Sequence, residues 1–228
     1  MISADATAQL LIIPPLENGD KLTRAEFERR YQAMPHLKKA ELIEGNVYMA
    51  SPLRIKNHAN PHARIITWLG NYWAATPGIE LGDNATVRLD FDNEPQPDAL
   101  LRIEVGGQST ISQDGYVNGA TELIVEIAAS SVSIDLHQKL KVYRRNGVQE
   151  YLVWRVDDGQ FDWFRLNEEE YIKVEPNKDG VIFSQIFPGL WLDQAALLAG
   201  NLAKVLEVLQ QGIASQEHQD FVQILAQK

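Results

Sequence analysis

The sequence predicts one α/β domain followed by a helical tail. Three observations carry that prediction. Segments with apolar residues three and four apart alternate with short runs rich in β-branched and aromatic residues. One such run, residues 123–127, is apolar except for a single glutamate, which is the pattern of a central strand covered on both faces. Residues 193–227 are mostly helix-forming, and no repeat or low-complexity linker divides the chain.

Taken in order, residues 1–20 read as an N-terminal arm ending in a turn at Glu17-Asn18-Gly19-Asp20. Thr23 and Glu26 have the spacing of a capping box, so a helix is expected over 24–34 with Phe27 and Tyr31 on one face, closed by Pro35. Within 41–50, Glu44-Gly45-Asn46 forms a turn between two short strands. A second helix over 61–75 places Ile65, Ile66, Leu69, Tyr72 and Trp73 at helical spacing, and Pro77-Gly78 ends it. Strands are expected over 85–91, 98–105 and 123–127, with a glycine-containing loop over 106–119.

A third helix spans 133–146: Ser133 is its N-cap, Asp135 favours the dipole, and Gly147 is the stop. Leu136, Leu140 and Tyr143 form its apolar face. Strands over 151–156, 161–166 and 171–174 follow, the first two joined by an Asp158-Gly159 hairpin turn. A last strand over 181–187 leads to Pro188-Gly189. The domain proper is expected over 21–195. The tail, 196–228, carries a stripe of Leu198, Leu202, Val205, Leu206 and Leu209 that suits packing on its own domain or on a partner subunit.

Composition narrows the function. The 228 residues are 45% hydrophobic and 23% charged, which excludes a disordered chain, a collagen and a coiled-coil rod. The absence of cysteine excludes a disulfide scaffold, a thiolate zinc site and a cysteine nucleophile. A net charge of −10 argues against a generic basic nucleic-acid coat, yet leaves a nuclease open, because a metal site needs carboxylates. The apolar run Leu10-Leu11-Ile12-Ile13 is too short for a signal peptide, and no run approaches the roughly 18 apolar residues of a membrane span. A soluble, cytoplasmic protein with no membrane partner is expected.

The candidate chemistry lies in how the acids are placed. Glu126 interrupts an apolar strand, where an ionised carboxylate needs a cation, donors or a metal; a solvated strand end is the plainer alternative. Asp98 follows Pro95-Gln96-Pro97, which hold the approach extended, although an aspartate after proline also caps turns. On an ideal helical wheel Lys139 falls about 60° from the centre of the apolar face, so its stem lies against the core and its ammonium near whatever adjoins the helix. An ion pair with Asp135 is the competing explanation. Two carboxylates from neighbouring strands can hold a divalent cation, and a nearby lysine can stabilise charge or orient water, as phosphodiester hydrolysis requires. Carboxylate-pair hydrolysis of a glycoside is a weaker alternative, for want of an aromatic platform near the acids. No dinucleotide fingerprint, P-loop or nucleophile elbow is present.

These residues resemble the Uma-two family of endonucleases within the PD-(D/E)xK nuclease superfamily. The similar stretches are Glu41-Leu42-Ile43-Glu44-Gly45, Ser51-Pro52, Gln96-Pro97-Asp98 and Val125-Glu126-Ile127-Ala128-Ala129-Ser130. The resemblance continues from Asp135 through Lys139, Tyr143 and Gly147-Val148 to Glu150-Tyr151, and closes at Pro188-Gly189-Leu190, covering residues 22–195.

It implies a restriction-endonuclease-like core, a mixed central β-sheet flanked by helices, with extra β-hairpins and the helical tail. It further implies a metal-dependent endonuclease acting on DNA, with Mg²⁺ or Mn²⁺ held by Glu44, Asp98, Glu126 and the carbonyl of Ile127. Catalytic roles fall to Asp98, Glu126 and Lys139. The superfamily lysine two residues after the acid is replaced by Ala128, and Lys139 is the expected substitute. A non-catalytic binding or assembly module on the same scaffold is the alternative. His58 or His62 could meet a phosphate or simply cap the following helix, and Arg54, Lys56 and Arg64 are candidate DNA contacts. A homodimer fits an enzyme that cuts two strands.

Overall fold

The computed structural model describes residues 13–49, 54–129 and 131–228. Residues 1–12 of the expected arm, the Ser51-Pro52 pair and Ser130 lie outside the described residues. Helix α1 (Arg24–Gln32) starts at Thr23, whose Oγ1 accepts the Glu26 N–H at 3.4 Å. The reciprocal half of the capping box is not formed, because the Glu26 carboxylate accepts from Arg29 and Arg30 instead. Strands β1 (Ala40–Ile43) and β2 (Asn46–Met49) make an antiparallel hairpin whose turn residues Glu44 and Gly45 have φ of 51° and 74°. A wide π turn (Ile55–Ala59) leads into α2 (Asn60–Ala75).

Five strands follow: β3 (Ile79–Asp83), β4 (Val87–Arg88), β5 (Ala99–Ile103), β6 (Thr110–Ile111) and β7 (Val117–Asn118). Strand β8 (Leu123–Ala128) comes next, then a second π turn (Ile134–Lys139) and α3 (Leu140–Asn146). Strands β9 (Glu150–Arg155), β10 (Gln160–Asn167), β11 (Glu170–Lys173), β12 (Val181–Phe183) and β13 (Trp191–Asp193) precede the tail helices α4 (Gln194–Ala199), α5 (Leu202–Ile213) and α6 (Gln216–Leu225).

The main sheet has six strands in the order β11-β10-β9-β8-β5-β3. It is mixed: β8 and β9 are parallel and the other neighbours antiparallel. Alternation along β8 divides the core. Leu123, Val125 and Ile127 face a layer that holds Ile65, Trp68, Leu69 and Tyr72 of α2 together with the tail. Ile124 and Ala128 face Tyr143, Tyr151 and the small sheet β4-β7-β6. Glu126 shares their parity and is directed to this second face, beneath α3. A third cluster, Phe27, Ala40, Leu42 and Val47, fixes the β1–β2 hairpin to α1.

Several elements differ from expectation for identifiable reasons. Strand β3 has two acids and a glycine and little strand propensity. It forms because it pairs with β5 and because Gly82 admits Leu100, which would lie 2.9 Å from any Cβ there. The run expected over 85–91 shortens to β4, since the chain turns back where Leu89 N–H bonds to Asn93 O.

The third helix is not capped by Ser133. Its first turn is closed by the Ser131 carbonyl, which accepts from Ile134 and Asp135, and it opens as a π turn. That wider turn rotates the register relative to an ideal wheel. The buried face is therefore centred on Asp135, Lys139, Val142 and Tyr143, while Leu136 and Leu140 are only partly covered.

In the tail, α5 packs on α2 and β13 with Gly212 against the Gly189 carbonyl and the Trp191 ring. No helix among the described residues is long and apolar enough to cross a membrane.

Candidate active site

The site lies where the segment before β5, the middle of β8 and the start of the third helix meet the β1–β2 hairpin. Asp98 is 4% exposed and both of its carboxylate oxygens are engaged. Oδ2 accepts the backbone N–H of Ile127 at 2.7 Å, which joins the start of β5 to β8. Oδ1 lies 3.2 Å from His58 Nε2 and 3.6 Å from Lys39 Nζ. A strand residue directs its N–H and C=O to the same neighbour. The Ile127 carbonyl therefore also points toward the Asp98 side, beyond the pairing of Val125 with Ala99, the first residue of β5. His62 supports the same corner, with Nε2 2.9 Å from the Asp98 carbonyl oxygen and 3.1 Å from Asp83 Oδ1.

Glu126, 3% exposed, accepts two hydrogen bonds on Oε1, from Lys139 Nζ at 2.9 Å and from the Tyr143 hydroxyl at 2.8 Å. The Lys139 ammonium also donates to Glu41 Oε1 at 2.9 Å and lies 3.7 Å from Asp135 Oδ1. Glu41 in turn accepts the Gln96 N–H at 2.7 Å, so β1 is tied to the Pro95-Gln96-Pro97-Asp98 approach. Among the described residues, Oε2 of Glu126 and Oε2 of Glu41 accept no hydrogen bond.

The electrostatics follow from one buried ammonium among three buried or half-buried acids. Burial alone would lower Lys139, but Glu126, Glu41 and Asp135 outweigh it and hold the ammonium charged well above its ordinary range. The unmatched negative charge falls on the acids. Burial raises Glu126; Lys139 opposes the rise, while Asp135, Asp98 and Glu41 add to it. Burial likewise raises Asp135, with Lys139 and Ser131 opposing. Asp98 goes the other way: burial would raise it, but His58, Lys39 and the Ile127 N–H prevail and hold it at about 2.

The structure brings together Asp98, Glu126, Ile127 and Lys139 from the expected set. It does not bring Glu44 to them. Glu44 lies on the hairpin turn with its carboxylate 3.2 Å from Arg145, beside Asp90, and its side chain is 37% exposed. The acid that reaches the cluster from this hairpin is Glu41, three residues earlier and near the middle of β1. Alternation separates the two roles: Ala40 and Leu42 enter the α1 cluster, so Glu41 turns to the opposite side. That parity was the available signal. Tyr143 and Asp135, expected as a packing residue and a dipole partner, also belong to the cluster. Of the candidate DNA contacts, Arg54 and Lys56 are exposed at the first π turn and Arg64 is half-buried beside Gly200.

The donor chemistry fits a hard divalent cation. The available groups are carboxyl groups from β1, β8 and the residue before β5, plus one backbone carbonyl, all hard oxygen donors. Among the described residues no three acid or imidazole groups already surround a single point. The ammonium of Lys139 stands between Glu41 and Glu126.

Comparison with known proteins agrees with this architecture. The crystal structure of an Anabaena variabilis protein, described as "a putative nuclease belonging to DUF820", aligns with 75% of this chain and 96% of its own. The TM-score is 0.55 at 14% identity, a likeness of fold. A search of curated proteins finds no match. The family model described as "Putative restriction endonuclease" matches residues 24–195. With three quarters of its length covered by that model and a mixed sheet that carries the acids at its centre, the chain belongs to the Uma2 family.

Proposed function

We propose that the protein is a divalent-metal-dependent endonuclease that hydrolyses DNA phosphodiester bonds at the cluster of Asp98, Glu126, Glu41 and Lys139. The observation that carries the reading is the convergence of Asp98 and Glu126 from adjacent strands on one buried, electron-rich corner with Lys139. Mg²⁺ or Mn²⁺ held by Asp98, Glu126, the Ile127 carbonyl and Glu41 would polarise the phosphoryl group and acidify the attacking water.

The chain's own residues prepare that corner. His58 and the Ile127 N–H fix the Asp98 carboxylate, and Lys139 with Tyr143 fixes Glu126 and leaves its second oxygen free. Gln96 holds Glu41 in the same way. Lys139 balances the acids and supplies a buried positive charge beside Glu126 and Glu41.

Asp98→Ala and Glu126→Ala should each abolish Mg²⁺- or Mn²⁺-dependent cleavage of plasmid DNA while circular dichroism shows the fold intact. Undiminished cleavage by either variant would sink the assignment. A second reading, a non-catalytic binding module, is favoured by two observations: Ala128 stands at the superfamily lysine position, and the Lys139 ammonium lies between Glu41 and Glu126 as a resident cation would. Calorimetric titration with Mn²⁺ separates the two. Site-dependent binding lost in Asp98→Ala supports the enzyme, and no binding together with no cleavage supports the module.

A further inference from the structure

The lysine that the family resemblance points to is in the wrong state to meet a substrate. Lys139 is 5% exposed and engaged by three acids, so it cannot reach an entering phosphate without leaving charges unpaired in the interior. A different ammonium is available at the mouth of the site. Lys39 stands immediately before β1, its side chain 26% exposed, with Nζ 3.6 Å from Asp98 Oδ1. Its second partner is Asn84 Oδ1 at 3.4 Å, just past the end of β3. Asn84 belongs to the same corner, since its N–H reaches the Asp98 carbonyl at 3.3 Å and its own carbonyl accepts from the Gln96 amide at 2.8 Å. Lys39 therefore links the hairpin side to the sheet side beside Asp98, through long contacts of 3.6 and 3.4 Å.

We propose that Lys39 is a catalytic residue of the reaction proposed above: it binds a non-bridging oxygen of the scissile phosphate and stabilises the charge that develops there. The inference rests on the endonuclease reading and adds a residue to it. Were Asp98 Oδ1 to hold a cation, the Lys39 ammonium would lose a partner it holds only at 3.6 Å and keep its 3.4 Å contact to Asn84. It is long and mobile enough to follow a phosphate oxygen, and a point charge needs no fixed approach angle.

In the hydrolysis, water oxygen forms the new bond to phosphorus as the bond from phosphorus to the leaving oxygen breaks. The leaving oxygen gains a proton and the attacking water loses one to solvent. Lys39 exchanges no proton and acts through charge alone.

The test uses the full-length chain with Mn²⁺ and a short DNA duplex. Lys39→Met should lower kcat by roughly 10²-fold, the loss typical of removing one donor to a developing oxyanion, with a small change in KM. Lys38→Met is the charge-matched control: Lys38 is exposed on the adjacent position, and its loss should leave kcat unchanged. Calorimetry supplies a readout independent of turnover. Lys39→Met should bind Mn²⁺ at least as tightly as the wild type, because the ammonium that competes for Asp98 Oδ1 is gone.

An active wild type with an equally active Lys39→Met variant overturns the proposal and leaves the endonuclease reading standing. Weakened Mn²⁺ binding in Lys39→Met also overturns it, since Lys39 would then act only by holding Asp98. A wild type that binds Mn²⁺ but cleaves nothing refutes the endonuclease reading itself, and this inference with it.

Discussion

Replacing Lys139 by methionine tests the electrostatic logic of the site most directly. Methionine preserves most of the side-chain volume and removes only the ammonium, which bridges Glu126 and Glu41 at 2.9 Å and neighbours Asp135 at 3.7 Å. The acids would then be buried with no local countercharge. Breaking one side of a buried ion pair costs about 3–5 kcal/mol, and here the lower end applies because the acids can take up protons instead of remaining charged. For a chain of this length about 3 kcal/mol corresponds to a fall in Tm of roughly 6–12 °C at pH 7.

The sign of the pH dependence follows. With Lys139 gone, the folded state binds protons on these acids more tightly than the unfolded chain does, so the variant regains stability as pH falls from 7 toward 5. A divalent cation that enters between Glu41 and Glu126 should restore stability at constant pH. Thermal unfolding followed by circular dichroism, with and without Mg²⁺, reads all three effects. A Tm within about 2 °C of wild type at pH 7 would refute the reasoning, because a buried ammonium shared by three acids cannot be removed so cheaply.

Other expectations concern separate parts of the molecule. Glu41→Gln should impair Mn²⁺ binding and cleavage, whereas Glu44→Gln, which only releases Arg145 on the surface, should leave both near wild type; the reverse order would show that the turn acid and not the strand acid serves the site. Burial raises the Glu150 carboxyl to about 7, against hydrogen bonds from the Ser184 hydroxyl and the Gln185 N–H. Its folded pKa lies above its unfolded value, so its contribution is complete below about 4.5 and is lost as pH rises through about 7, amounting to about 3 kcal/mol. Glu150→Gln should flatten the stability-versus-pH curve over that window, and equal slopes in the two proteins would count against the burial argument. Gly212→Ala would place a Cβ 2.8 Å from the Trp191 ring and against the Gly189 carbonyl, and overpacking of this kind costs about 1–3 kcal/mol, measurable by urea unfolding. An unchanged midpoint would mean that α5 does not lie on β13 as described.

Much of the scaffold was legible in the residues themselves. The apolar run with one acid defined β8 as a central strand and singled out Glu126, and Pro95-Gln96-Pro97 marked where Asp98 enters the sheet. Periodicity identified α2 and the helical tail, and the Asp158-Gly159 turn identified the hairpin of β9 with β10. Those signals are local, because strand parity, helix spacing and turn chemistry are written in neighbouring residues.

What the sequence alone determined is the class of fold and the acids that matter most: a sheet whose central strand must compensate Glu126, and an aspartate held at its border. What only the tertiary structure decided is which side chains complete the corner. Glu41 and Glu44 are aimed in opposite directions by strand parity and a positive-φ turn, and docking of the hairpin on α1 is what carries Glu41 to the corner. Lys139 passes from the edge of an ideal wheel to full burial because a π turn shifts the helical register. Lys39 and His58 reach Asp98 across separations of 59 and 40 positions in the chain, contacts that packing creates and that no spacing along the sequence encodes.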